Sequence, residues 1–253
     1  MNEYPSALFR YLLRLGDNAL IHGQRLSEWC SCGPTLEEDL ALTNIALDDI
    51  GRAQALLEYA ATVEDQGRTA DDLAFKRNER EYYNNLLCEL PRGDFAFTIM
   101  KQVILSAFEV PLFDALQHSS NPHLAAIAQK SHKEVRYHWQ HAADWCKRLS
   151  LGTNTSARKM QEALNQLWMY TGDLFEMYDD DAILATIQAT PDLNDIKRHW
   201  QTAMHDLIKY CQLTIPNVDY MQTGSRQGIH TEHLGHLLAE MQYLQRAYPN
   251  VRW

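Results

Sequence analysis

The stretch Thr35-LEEDLALTNIALDDIGRAQALLEYAAT-Val63 decides the fold. Thr35 followed three residues later by Glu38 has the form of a capping box, in which each side chain satisfies a free backbone amide at a helix start. Leu40, Leu47, Ile50, Ala53 and Leu57 then recur at helical spacing, and no alternation of β-branched residues competes with a helix. The segment therefore reads as one long amphipathic helix. Upstream, from about Tyr4 to Cys30, Leu8, Tyr11, Leu12, Leu15, Ala19 and Leu26 follow one side of a second helix, which stops at Gly33-Pro34. Two long helices joined by a tight turn are how an up-and-down bundle begins.

The rest of the chain continues in the same manner. A polar stretch from Glu64 to Asp72 leads to a short charged helix that ends before Pro91-Arg92-Gly93. Asp94 is placed to cap a helix from about Phe95 to His118, which Pro111 kinks. Asn121-Pro122 opens the next helix, to about Leu149, because proline suits the first helical position. Gly152 to Ser156 reads as a turn, followed by helices over about Ala157 to Tyr178 and Asp192 to Leu213. Pro216 to Gly228 is the least periodic stretch, and the last helix spans about Thr231 to Ala247. With no repeat of roughly 30 to 45 residues, the reading is all-α, an up-and-down helical bundle rather than a solenoid. We expect a single domain over 1–253, with a core bundle at about 4–150 and additional helices at about 157–247.

Composition narrows the function. The 253 residues are 45% hydrophobic and hold few glycines and prolines, which suits a folded chain. Lys and Arg number 23 against 33 Asp and Glu, a net charge of −10, which argues against nucleic acid or an anionic membrane as partner. No run of about 18 apolar residues and no signal-peptide pattern occurs at the start, so the expected location is the cytoplasm. Five scattered cysteines suggest neither a disulfide framework nor a zinc site. No nucleophile elbow, phosphate-binding loop or dinucleotide fingerprint is present.

Helical bundles hold paired metals with Glu-x-x-His, since residues i and i+3 share a face. The sequence contains no Glu-x-x-His and no Asp-x-x-His. Degenerate forms stand in their place. Asp48-Asp49-Ile50-Gly51-Arg52 puts arginine where histidine belongs, and Glu134-Val135-Arg136-Tyr137-His138 puts valine three before His138. Guanidinium has no lone pair and stays protonated, so it repels a metal and satisfies carboxylates instead. Arg52 is therefore expected to tie Asp48 or Asp49, with Glu28 and Glu109, into a buried polar network. A solvated Asp–Arg pair is the plain alternative. His230, His233 and His236 recur every three residues, with Glu232 and Glu240 nearby; that spacing spreads the histidines around about a third of the helix, which suits a helix start or partner contact better than one metal site.

Leu15-Gly-Asp-Asn18, Gln24-Arg-Leu-Ser-Glu-Trp29, Asn44-Ile-Ala-Leu-Asp48, Lys133-Glu-Val-Arg-Tyr-His138 and above all His230-Thr-Glu-His-Leu-Gly235 with Leu238-Ala-Glu-Met-Gln-Tyr-Leu-Gln-Arg246 closely resemble the C subunits of bacterial multicomponent phenylacetyl-CoA epoxidases. The likeness extends over essentially the whole chain. It implies a ferritin-like fold and a non-catalytic, structural subunit that positions the catalytic di-iron oxygenase subunit, with a further subunit of the same complex as a bridge, in aerobic phenylacetate catabolism. It implies no catalytic residue, cofactor or metal in this chain; the di-iron centre belongs to the partner oxygenase. Glu28, Asp48, Asp49, Arg52, Glu109, Glu134 and His138 would then be the remnant of a metal site. His230, Glu232, His233 and Glu240 would be a family motif whose role the sequence does not give. The isolated chain is expected to self-associate through its partner face. Two rival readings are a di-iron or di-manganese oxygenase with irregular ligands, and a bundle that binds a CoA ester.

Overall fold

A computed structural model describes residues 3–249 and 251; the other positions at the two ends of the expected 1–253 domain lie outside the described residues. The chain is all-α, and no strand occurs among the described residues. Two compact units divide it: Met1–Pro91 with Gly224–Trp253, and Arg92–Thr223.

The first unit is built on α1 (Glu3–Ser27) and α2 (Leu36–Glu64), with short α3 (Ala70–Phe75) and α4 (Leu86–Glu89). The Thr35 side chain accepts the Glu38 amide at the start of α2. The two long helices run antiparallel: Gly16 lies against Leu57, while Gly23 lies against Asp49 and Ala46. The buried face of α2 is Leu42, Ile45, Ala46, Asp49, Arg52, Ala53, Leu56, Leu57 and Ala60. This corrects the sequence reading. Leu40 and Leu47 stay 55% and 60% exposed, and Leu36 is 72% exposed. All three fall within about 40° of arc at 100° per residue, so α2 carries a second apolar stripe turned outward.

The segment expected to be one short charged helix is α3, a single 3-10 turn and α4, because its side chains are committed to tertiary bonds. Buried Arg77 pairs with Asp17 of α1 and donates to the Leu73 and Glu81 carbonyls. The C-terminal segment folds back here as α10 (Glu232–Met241) and α11 (Tyr243–Ala247). The single helix expected over Thr231–Ala247 is divided at Gln242, whose buried amide donates to the Tyr82 hydroxyl at 2.8 Å and the Arg77 carbonyl at 3.0 Å.

The second unit packs α6 (Pro122–Ser150), α7 (Asn154–Leu167) and α9 (Leu193–Tyr210) around α5 (Phe95–Leu116), with α8 (Asp179–Thr186) between α7 and α9 in chain order. The Asp94 side chain caps α5 through the Phe97 amide, and Asn121 caps α6 with Pro122 in its first turn. α5 has the length and apolarity to cross a membrane, but most of it is core. The helix expected over Ala157–Tyr178 ends at Leu167 and tightens into 3-10 structure over Trp168–Phe175. There the Gln222 amide bonds the Met169 carbonyl at 2.8 Å, and a Cβ on Gly172 would meet Met221 at 2.7 Å. Trp168, Phe175 and Trp200 form an aromatic cluster completed by Phe108.

Candidate functional site

Helix α2 turns Asp49 and Arg52 toward α1, three residues apart on one face. Their side chains are each 1% exposed, and Arg52 Nη2 donates to Asp49 Oδ1 at 2.6 Å. From α1, His22 Nδ1 donates to the other carboxylate oxygen, Oδ2, at 2.8 Å. A Cβ on Gly23 would sit 3.1 Å from Asp49 Cβ and 3.2 Å from the Ala46 carbonyl oxygen. A glycine at 23 therefore lets the helices close enough for His22 to reach Asp49. One carboxylate is held by a permanent cation on one oxygen and a ring N–H on the other, the arrangement burial of a charge demands.

These residues do not fit a ferritin-type metal pair. A metal would need the Asp49 lone pairs that Arg52 and His22 take, and a guanidinium beside it repels a divalent ion. Among the described residues no group of three or more His, Cys, Asp or Glu side chains is placed to hold a metal ion.

Asp48 is half-buried on the flank of α2. Glu28 lies beyond the end of α1, exposed, with its carboxylate 2.6 Å from Arg25 Nη1. It is His22, rather than Glu28, that α1 sets against Asp49. In the second unit Glu109 is half-buried on α5, Glu134 is half-buried on α6 within 3.7 Å of Lys130, and His138 is buried on α6. Sequence reasoning missed His22, although it shares the stripe of Leu15, Ala19 and Leu26 and is the polar residue on an apolar face.

The C-terminal motif forms a second buried site. His230 Nδ1 is 2.8 Å from Glu89 Oε2, and Nε2 is 3.0 Å from the Tyr82 carbonyl. Both neighbours are acceptors, so the doubly protonated, cationic imidazole is the form that satisfies both contacts. Burial pulls its pKa down; the hydrogen bond and charge of Glu89, with the Tyr82 carbonyl, outweigh that and hold it above the usual value. Glu89 also accepts the Thr231 amide on Oε1 at 2.5 Å and Asn84 Nδ2 on Oε2 at 2.9 Å. Arg25 bonds the carbonyls of Glu89 and His233, each at 3.0 Å. His233 is half-buried, whereas Glu232, His236 and Glu240 are exposed. The motif thus ties the start of α10 to α4 and α1. Sequence spacing pointed to the histidines but not to Glu89, which lies 141 residues away from His230.

The chain is similar to known proteins. The family model described as phenylacetic acid catabolic protein matches residues 1–253. The chain is also 45% identical over 246 residues to the C subunit of 1,2-phenylacetyl-CoA epoxidase from Escherichia coli (strain K12), covering 97% of this chain and 99% of that protein.

Proposed function

This chain belongs to the phenylacetic acid catabolic protein family, and on that premise we propose that it is the non-catalytic, ferritin-like structural subunit of a phenylacetyl-CoA 1,2-epoxidase. In this reading it stabilises and positions a di-iron oxygenase subunit, with a bridging subunit completing the assembly, in the cytoplasm. The observation that carries the reading is the Arg52–Asp49 pair. Where a metal-binding bundle needs a carboxylate and a histidine one turn apart, α2 has a carboxylate bonded to a buried guanidinium at 2.6 Å. The charge a metal would supply is built into the chain, so the helix pair keeps its packing without an ion.

The outward stripe of Leu36, Leu40 and Leu47 supports the subunit role, since neighbouring exposed leucines at one face of a helix suit a protein contact. The test is metal content of the purified chain after anaerobic Fe(II) or Mn(II) loading and removal of loose metal, followed by co-purification with the oxygenase subunit. We expect near-zero retained metal and a stable complex. Two tightly held metals per chain, retained when His230, His233 and His236 are replaced, would overturn the reading and make this chain an oxygenase candidate.

A further inference from the structure

Helix α6 carries a concave surface that the subunit reading does not use. Lys133, Arg136, Tyr137, Trp139 and Lys147, with Val110 of α5, line a groove of about 570 Å³. That volume lies within the range typical of small-molecule sites, roughly 300 to 1,000 Å³. Positions 133, 136, 137, 140, 144 and 147 lie along one side of the helix, so the three cations share a face. Asp144, the one carboxylate in the groove, is taken by Lys147 at 3.2 Å. Lys133 and Arg136 have no carboxylate partner among the described residues. A chain of net charge −10 has acid to spare, and here it leaves two cations uncompensated one turn apart. Tyr137, 47% exposed, stands one turn from Lys133 and offers a flat ring beside the charges.

We propose that this groove binds an adenine nucleotide, with Lys133 and Arg136 on its phosphates and Tyr137 against the base. Two adjacent cations match a phosphate group, with the planar guanidinium able to bond two of its oxygens. An aromatic face accepts a base by stacking. Among the described residues the two cations stand free of any carboxylate, so one compact phosphate can be gripped by both. The same chemistry is presented by a free nucleotide such as ATP and by the nucleotide end of coenzyme A.

The experiment is calorimetric titration of the full chain with ATP, coenzyme A, inorganic phosphate and adenosine at low and physiological salt. We expect ATP or coenzyme A to bind with a dissociation constant below about 1 mM, weakening with salt. Whichever binds more tightly identifies the source. The Lys133→Ala/Arg136→Ala double variant should weaken binding at least tenfold with an unchanged melting temperature, and Tyr137→Ala should abolish the preference for nucleotide over phosphate. No binding, or binding indifferent to Lys133 and Arg136, overturns the proposal. So does equal binding of phosphate and nucleotide by the unaltered chain. If nucleotides fail to bind and Lys133→Glu/Arg136→Glu instead abolishes association with the oxygenase subunit, the groove is a protein contact and the proposal is likewise overturned.

Discussion

Asp49 sets the terms for its surroundings because an ionised carboxylate at 0% exposure has no water to fall back on. Removing Arg52 takes the permanent cation from one of its oxygens, and losing one partner of a buried pair costs about 3–5 kcal/mol. Arg52→Ala should therefore lower unfolding free energy by that amount in urea titrations. The double variant Asp49→Leu/Arg52→Met should cost much less, since it removes both charges together. A difference between the two separates a buried ion pair from simple loss of packing. His230 supplies a second test at this scale. Its pKa in the folded protein is raised, so its contribution to stability is full below about pH 6.5 and is lost as pH rises through the higher folded value. Melting temperatures measured from pH 5.5 to 9 should show this decline, and Glu89→Gln should flatten it while lowering stability at the acidic end. An unchanged pH profile in Glu89→Gln would show that the Glu89 carboxylate does not hold the His230 proton.

Among the elements, the α1–α2 pair is sensitive to a single carbon atom. A Cβ at Gly51 would meet nothing within 4 Å, so Gly51→Ala should gain about 0.5–1 kcal/mol from helix propensity. A Cβ at Gly23 would press on the Ala46 carbonyl at 3.2 Å, and backbone cannot step aside as a side-chain tip can. Gly23→Ala should destabilise despite the same propensity gain, by about 1–2 kcal/mol net, because overpacking costs about 1–3 kcal/mol. Denaturant midpoints of the two variants should move in opposite directions. The elements also show what the sequence could reveal. Asp94, Asn121-Pro122 and Thr35 mark helix starts through bonds to amides two or three residues away, so those boundaries were readable. The interruption at Gln242 depends on Tyr82 and Arg77, and the 3-10 tightening near Gly172 depends on Met221 and Gln222, partners too distant for a local pattern to display. The same distinction governs the site. Asp49 and Arg52 sit one turn apart and could be found by spacing, whereas His22 reaches them across 27 residues. Helical periodicity marks α2 as amphipathic, and the packing of α1 decides which of its apolar residues are core.

For the whole molecule, that choice leaves Leu36, Leu40 and Leu47 facing outward, and it makes association testable apart from folding. A net charge of −10 opposes contact between two identical copies, and the repulsion falls with salt. Burial of the leucines acts against that repulsion with a gain of about 25 cal/mol for each Å² of apolar surface covered. Self-association of the isolated chain should therefore strengthen as ionic strength rises, as seen by sedimentation. A standing contact with another subunit has to bury more than one stripe, above about 2,000 Å² if the partners depend on each other, so the leucines would be one part of a larger face. Leu40→Lys/Leu47→Lys should then reduce both self-association and co-purification with the oxygenase subunit, while the melting temperature stays within about 2 °C because neither side chain contributes to the buried face of α2. A fall in melting temperature with association intact would place the leucines in the folding of this chain and remove the stripe as a reason to assign it a partner.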